Sequence, residues 1–402
     1  MKKLLFAAFS AAFLQSQADL LPRTPCEAET VPVQTECELA VSAIPDFAGR
    51  AAWLKKNAAE AKKDADSKWR TAPPLRFSWV ATAGEHGPWK LEVSRTPDFS
   101  EPVIREFCKH SEKSSKTSEG TLKSLTVQAP NLEVGRDYFW RISQCKGARA
   151  VSAPARFSTA DTPPRWIKIE GNTKNIRDIG GWKTCDGFRV RQGLAFRGQG
   201  FNDNSANGAV PGRNRLYVAD VEYLTRTLGI KTDLDLRSGR ETADMTESPL
   251  GPGVKFIHHS SEHYSRIFNA DGKAMMARNF RVFCDWANYP IYFHCIAGAD
   301  RTGALAYVLE GVLGVDKHDL DVDWEHTFYP AVHGVSPKDW RKETFISDGF
   351  DAYGGKDTPL KTKIERYLLD CGITAEEIET FRSIMLQKPE KCRSIMLEKP
   401  EK

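Results

Sequence analysis

The chain has 402 residues, 41% hydrophobic and 27% charged, a balance too apolar for a disordered chain and too mixed for a membrane protein. Lys plus Arg is 57 and Asp plus Glu is 53, a net charge of +4, so bulk charge points to neither nucleic acid nor a membrane surface. The length suits two or three domains.

The N-terminus, MKKLLFAAFSAAFLQSQA, has the form of a secretory signal peptide. Lys2 and Lys3 are the basic region, Leu4 to Leu14 the apolar region, and Ser16-Gln17-Ala18 the small residues for cleavage. The expectation is a signal peptide over 1–18, cleaved near Ala18, and export to the periplasm or beyond. No cysteine follows the apolar region, and no later stretch approaches the ~20 apolar residues needed to span a bilayer.

Residues 19–71 start irregular and then turn helical. Asp46 to Trp69 is rich in Ala and Lys, which predicts a solvated helix serving as a spacer. From Pro73 the texture changes to short runs of strand character, LRFSWVA, WKLEVSR, LKSLTVQA, DYFWRIS and APARFST, separated by turn residues. These predict an all-β sandwich over 72–160. Leu132, the Gly135 turn and Tyr138 opening a strand resemble the fibronectin type III pattern, in which the Tyr makes the corner hydrogen bond. Trp79 fits the core tryptophan of an early strand. Cys108 and Cys145 are candidates to pair, or two buried thiols.

Ser158 to Pro164 reads as a linker. After it, strands and helices alternate: a helix with Tyr217, Val221, Leu224 and Leu228 on one face, strands over 229–236, 254–257 and 291–293, helices over 274–288 and 303–313. That predicts an α/β domain over 161–386, a central sheet flanked by helices. RSIMLQKPEK recurs as RSIMLEKPEK, which makes 387–402 a duplicated tail rather than a repeat array.

Nine cysteines, at 26, 37, 108, 145, 185, 284, 295, 371 and 392, cannot all pair, and export favours disulfides, so at least one is a thiol or joins another chain. The segment Tyr292-Phe-His294-Cys295-Ile296-Ala297-Gly298-Ala299-Asp300-Arg301-Thr302-Gly303 indicates which. A strand runs into a loop and the loop into a helix. A thiol at a helix N-terminus has its pKa lowered to about 3.5–7.5. The N–H groups of residues 296–301 are placed to receive phosphoryl oxygens. Arg301 supplies a planar fork for transition-state charge, which a Lys would lack. Gly298 permits the turn, and the Thr302 hydroxyl is within reach of the sulfur.

This segment resembles the cysteine-dependent protein phosphatases, whose signature is His-Cys-x5-Arg-Ser/Thr-Gly, and is most similar to the bacterial secreted tyrosine and lipid phosphatase family. Supporting pieces are Asn175-Ile-Arg177-Asp178-Ile-Gly180-Gly181, Asp235-Leu236-Arg237-Ser238, Asp323-Trp324-Glu325 and Gly372 to Ile378, spanning roughly 165 to 386. The resemblance implies phosphate monoester hydrolysis through a Cys295 thiophosphate, with tyrosine phosphatase activity of dual-specificity-like type. The alternatives are an inositol phosphate or phosphoinositide phosphatase and, from another class, a pseudophosphatase that only captures phosphorylated ligands. Rhodanese-like sulfur transfer is disfavoured by the Arg-Thr-Gly ending.

In the resembled family the Asp before the loop Arg serves as general acid, which corresponds to Asp300; the alternative is that Asp300 orients Arg301 or caps the helix. Glu262 and Asp271 are the upstream substitutes. Lipid-active members usually carry Lys where this chain has Ala299. His258, His259 and His263 lack the spacing of a zinc motif and read as a polar rim. Arg177, Asp178, Arg197, Arg237 and Glu262 complete the candidate rim, although each Arg is equally a candidate ion-pair partner and the Gly-Gly after Asp178 suggests a structural turn. No metal and no cofactor are expected. The expected partner is a phosphorylated protein or small phosphoester, not a nucleic acid, with protein or glycan contact through the sandwich.

Overall fold

The structure is a computed structural model that describes residues 20–26, 29–63, 74–82, 87–128, 130–145, 151–202, 216–242, 245–327, 346 and 348–387. The expected signal peptide and all but the first residue of the duplicated tail lie outside the described residues. Among the described residues no helix is long and apolar enough to cross a membrane. The chain divides into two compact units: Met1–Arg177 with Tyr217–Tyr223 and Phe328–Pro337, and Asp178–Leu216 with Leu224–Thr327 and Lys338–Lys402.

The first unit is built on two sheets. Its strands are β1 (Leu20–Thr24), β2 (Thr30–Val31), β3 (Leu75–Ala81), β4 (Trp89–Ser94), β5 (Pro102–Lys109), β6 (Lys113–Thr117), β7 (Gly120–Val127), β8 (Asp137–Gln144) and β9 (Ala155–Thr159). One sheet runs β1-β3-β7-β6 and the other β2-β9-β8-β4-β5. Alternation along β3, β4 and β8 turns Phe77, Trp79, Trp89, Leu91, Trp140 and Ile142 into one core, with Phe157 from β9. Phe77 meets Trp140 edge-on at 5.2 Å, and Trp79 meets Trp89 at 5.2 Å. Tyr138 Oη accepts the Glu133 N–H at 3.0 Å. The edge strand β6, Lys-Ser-Ser-Lys-Thr, is exposed throughout, and its lysines oppose edge-to-edge pairing.

β1 and β2 are sheet strands, and a helix absent from the sequence reading, α1 (Glu36–Ser42), carries a capping box between Thr35 and Glu38. Burial pushes the Glu38 carboxyl up to about 7, against the Thr35 hydrogen bonds and the Arg177 charge. The expected helix is α2 (Phe47–Lys63); it buries Leu54 and Arg50, whose guanidinium donates to Ile44 O and Pro45 O. The boundary also differs from the expected 161. Arg165 donates twice to Asn131 O at 3.0 and 2.8 Å, and the Asn131 amide exchanges two bonds with the Lys168 backbone. Those bonds tie residues 165–168 to the sandwich, so the stretch after the prolines is packed chain. The proposed Cys108–Cys145 bridge involves a side chain, that of Cys108, outside the described residues.

The second unit is α/β. Its strands are β10 (Arg177–Asp178), β11 (Arg189–Val190), β12 (Ala195–Gln199), β13 (Thr232–Asp235), β14 (Lys255–His258), β15 (Ile291–Cys295) and β16 (Leu386–Gln387). The main sheet runs β10-β12-β15-β13-β14, and β12, β15, β13 and β14 are mutually parallel. All of β15 is buried, as a parallel strand covered on both faces must be, which is why it reads as an unbroken apolar run before His294. Its helices include α3 (Gly239–Thr242), α4 (Ala270–Val282), α5 (Asp300–Leu313) and α6 (Lys317–His326). The helix expected over 274–288 begins earlier, because Asn269 caps it by accepting the Gly272 N–H at 2.7 Å. α5 is buried from Thr302 to Leu313 and stops at Gly314, whose φ of +96° is the left-handed conformation that ends helices.

Candidate active site

In a parallel sheet, functional loops gather at the carboxyl ends of the strands. Cys295 is the last residue of β15, and α5 begins five residues later at Asp300. The backbone turns at Gly298, φ +69°, where a Cβ would lie 2.4 Å from the Gly198 carbonyl atoms. Only glycine fits there, because conformation and space both forbid a side chain. Ala299 O accepts the Gly303 N–H at 2.7 Å and joins loop to helix. Ile296 and Ala297 are half-buried, and Gly298 and Ala299 buried.

Cys295 is 3% exposed. Burial alone raises a thiol pKa. Here the positive charge of Arg301 and the hydroxyl and N–H of Thr302 outweigh burial and the adverse Asp300 charge, and hold Cys295 below the ordinary thiol value. Thr302 Oγ1 is itself buried, with no nitrogen or oxygen partner among the described residues. The other thiols of this unit behave differently. Burial pushes Cys284 up to about 12 and Cys371 up to about 11, and Cys185 also lies above its ordinary value. Among the described residues of this unit, Cys295 is thus the thiol poised to ionise.

Arg301 is held by a residue the sequence reading missed. Glu241 of α3 receives it bidentately, Nη1 to Oε2 at 2.5 Å and Nη2 to Oε1 at 2.9 Å. Glu241 in turn accepts the Ser238 N–H and Oγ–H at 2.7 and 2.8 Å. Burial raises its carboxyl, but Arg301 and Ser238 outweigh that and draw it down to about 2. The guanidinium keeps further N–H donors for a bound oxyanion. Only spacing signals Glu241, three residues after Ser238 in the manner of a helix cap.

His294, before the nucleophile, is 1% exposed and lies between two carboxylates of β13: Nε2 is 3.0 Å from Asp233 Oδ1, and Nδ1 is 3.9 Å from Asp235 Oδ1. Burial lowers its pKa, yet the Asp235 and Asp233 charges prevail and hold it above the usual histidine value. Nδ1 is 3.1 Å from Cys295 O, so the imidazolium fixes the end of the strand that carries the thiol. Asp233-x-Asp235 on a buried strand was the available signal, since alternate residues share a face.

The candidate acids are separated by the structure. Asp300, in the first turn of α5, accepts the Tyr264 hydroxyl and is half-buried beside Arg301. Glu262 lies 3.6 Å from Arg266 and 3.9 Å from His263. Asp271 is exposed at the start of α4. His263 packs on the Tyr264 ring at 4.5 Å and lies within the electrostatic reach of Asp300 and Arg301; burial first, then Arg301, keep it below the usual histidine value. His258 Nε2 pairs with Arg237 O at 2.8 Å. Among the described residues no group of acidic, His or Cys side chains has the arrangement of a metal site.

Four candidate rim residues are interior ones. Arg177 is fully buried, bonded to Asn175 and lying 5.3 Å over the Trp166 ring. Asp178 is fully buried and accepts the Gly180 and Gly193 N–H groups at 2.8 and 2.6 Å, so it shapes the turn. Arg237 is 1% exposed and clasps Asp235 at 2.5 to 3.0 Å. Arg197, also 1% exposed, donates to Asp323 Oδ2 at 2.6 Å and to Gly298 O at 3.1 Å. Arg197 and Arg237 are neutralised in the interior by Asp323 and Asp235, and a neutralised buried cation does not face substrate.

Comparison with known proteins finds relatives described as tyrosine phosphatases. Residues 167–331 match the profile described as Tyrosine phosphatase family. A Cupriavidus necator protein named "Putative tyrosine-protein phosphatase" is 28% identical over 200 residues, 44% of this chain and 68% of that protein. The solved structures that match include two phosphatases. The core catalytic domain of the Saccharomyces cerevisiae PP-IP phosphatase SIW14 has TM-score 0.25 and 15% identity over 34% of this chain and 80% of its own. The Orf virus tyrosine phosphatase OH1 has TM-score 0.17 and 13% identity over 44% of this chain and 79% of its own. The family match and the curated relative support a domain of the tyrosine phosphatase superfamily with phosphatase activity.

Proposed function

We propose that the second unit hydrolyses phosphate monoesters through a covalent Cys295 thiophosphate, with phosphotyrosine or an aryl phosphate as the preferred substrate. The observation that carries the reading is the lowered pKa of Cys295, set by Arg301 and Thr302 at the mouth of a helix-opening loop. The thiolate sulfur attacks phosphorus and the ester P–O bond breaks. Loop N–H groups of residues 296–301 and the Arg301 fork hold the equatorial oxygens as charge develops. Asp300 gives its proton to the leaving oxygen, then takes one from the water that attacks the thiophosphate and frees phosphate and thiolate. Thr302 Oγ–H solvates the departing sulfur. No step calls for a metal.

A monophosphorylated substrate is favoured because Ala299 supplies no second cation and Arg177, Arg197 and Arg237 are committed inward. The deciding experiment compares kcat/KM on phosphotyrosine peptide, phosphoserine peptide and a polyphosphorylated inositol. A tenfold preference for the inositol compound would overturn the substrate class. Binding of phosphate without turnover on any substrate would overturn catalysis in favour of a capture module. We further propose that the first unit is a fibronectin III-like module, supported by the sheet order and the Tyr138 corner bond, and that the chain is exported, for which the motif at residues 1–18 is the support.

A further inference from the structure

We propose that Arg197, Asp323 and Trp324 form a brace behind the Cys295 loop, and that Arg197 and Asp323 are positioning residues for oxyanion capture. The inference rests on the loop being the phosphoryl site. For its N–H groups to face an oxyanion, the loop must turn carbonyls the other way. One of these, Gly298 O, accepts from Arg197 Nη2 behind it at 3.1 Å. The same guanidinium is fixed through Nη1 to Asp323 Oδ2 at 2.6 Å, with side chains 1% and 2% exposed. Arg197 comes from β12, the parallel neighbour of β15, so the guanidinium ties together β12, the loop and α6.

Trp324, the next residue of α6, closes the other side. Its ring lies where a Cβ on Gly303 would stand 2.6 Å away, so α5 and α6 approach closely at the first turn after the loop. The ring is 6.4 Å from that of Tyr264, which bonds Asp300. The Asp323-Trp324 pair therefore contacts both flanks of the loop from one helix turn, through Arg197 and Gly298 on one side and Gly303 on the other. The main influences on the Cys295 pKa are burial, Arg301, Thr302 and Asp300. The effect of Arg197 and Asp323 is on the direction of the loop amides, and so on how well a trigonal bipyramidal oxyanion is held.

The test reads oxyanion binding apart from turnover. Vanadate protection of Cys295 against iodoacetamide, followed by mass spectrometry of the Cys295 peptide, is measured for wild type, Arg197→Gln, Asp323→Asn and the double variant. Thermal midpoints establish that each is folded. The brace predicts at least tenfold weaker protection in Arg197→Gln and threefold or more in Asp323→Asn. It also predicts a double variant within twofold of Arg197→Gln, because the residues act as one unit. Alkylation without vanadate should stay within twofold of wild type, and kcat should fall more than KM rises. If Arg197→Gln does not fold, Asp323→Asn, which keeps the shape and an acceptor, decides alone. Folded variants protected within twofold of wild type would overturn the brace, as would a tenfold change in unprotected alkylation. A wild type that vanadate protects but that turns over nothing would count against hydrolysis, not against the brace.

Discussion

Glu241→Gln tests whether the Arg301 clamp serves catalysis. The pair is bidentate at 2.5 and 2.9 Å, and its side chains are 17% and 15% exposed, between the surface and interior cases. The amide removes the charge and one of the two acceptors, in effect one charge-assisted hydrogen bond, about 1.5–3 kcal/mol. If that energy fixes Arg301 in the orientation the transition state uses, kcat/KM falls about 10- to 150-fold. The opposite sign has its own logic: Glu241 occupies Nη1 and Nη2, so releasing it would free Arg301 for phosphate and raise affinity. The assay is kcat/KM on an aryl phosphate from pH 5 to 9. Glu241 has a depressed carboxyl, so its contribution is full above the unfolded value near 4.5 and is lost only as pH falls through about 2. The deficit should therefore be constant across that pH range. A loss under threefold, or a gain, would refute the clamp as a catalytic device.

Cys295→Ser should abolish turnover and retain vanadate binding, because an alcohol is not ionised near neutrality; a residual rate above a tenth of wild type, read with an aryl phosphate, would exclude the covalent route. Gly298→Ala forces a side chain onto φ +69° and into the Gly198 carbonyl, and should cost roughly 10²-fold in kcat, as a loop displacement of about 1 Å does. His294 is held charged, with its folded pKa above the unfolded 6.5, so its stabilisation is full below that value and fades as pH rises through the folded one. The thermal midpoint should fall on that alkaline side in wild type, and His294→Gln, starting about 3–5 kcal/mol lower at pH 6, should lose that dependence. Turnover should survive EDTA; loss restored by a divalent ion would move the chemistry toward His258, His259 and His263.

The thiol, the loop and the Arg were legible because their chemistry is local: a strand, four linking residues and a helix, contiguous in sequence. Glu241 and Asp233 were not, because each reaches its partner across the fold, 60 residues from Arg301 and 61 from His294. The rim arginines misled for the same reason. A sequence displays the cation and hides the carboxylate that neutralises it, here Asp323 for Arg197. Arg237 and Asp235 are only two residues apart, so that pair was within reach of a local reading. In the first unit, strand texture placed β3, β4, β7, β8 and β9. It missed β5 and the polar edge strand β6, as well as β1 and β2, which gain their identity from the strands they join, and the Thr35-x-x-Glu38 box that marks α1.

Charge placement then bears on substrate choice. A pocket gains selectivity for polyphosphorylated ligands by offering cations that are not already spent on its own carboxylates. Arg197 and Arg237 are bonded to Asp323 and Asp235, and both stand below 2% exposure, so a phosphate drawn to either would have to break a buried pair. Arg301 differs in kind. It is only partly exposed and paired with Glu241, but the pair uses one edge of the fork, and its charge acts on the Cys295 sulfur. On the proposed mechanism the cation that serves the thiolate is also the one that serves the phosphoryl group. On the proposed reading, with Ala299 neutral beside it, the loop takes one phosphate at a time, and Tyr264, bonded to Asp300, and His263, packed edge-on against it, are the candidate aromatic contacts for an aryl leaving group.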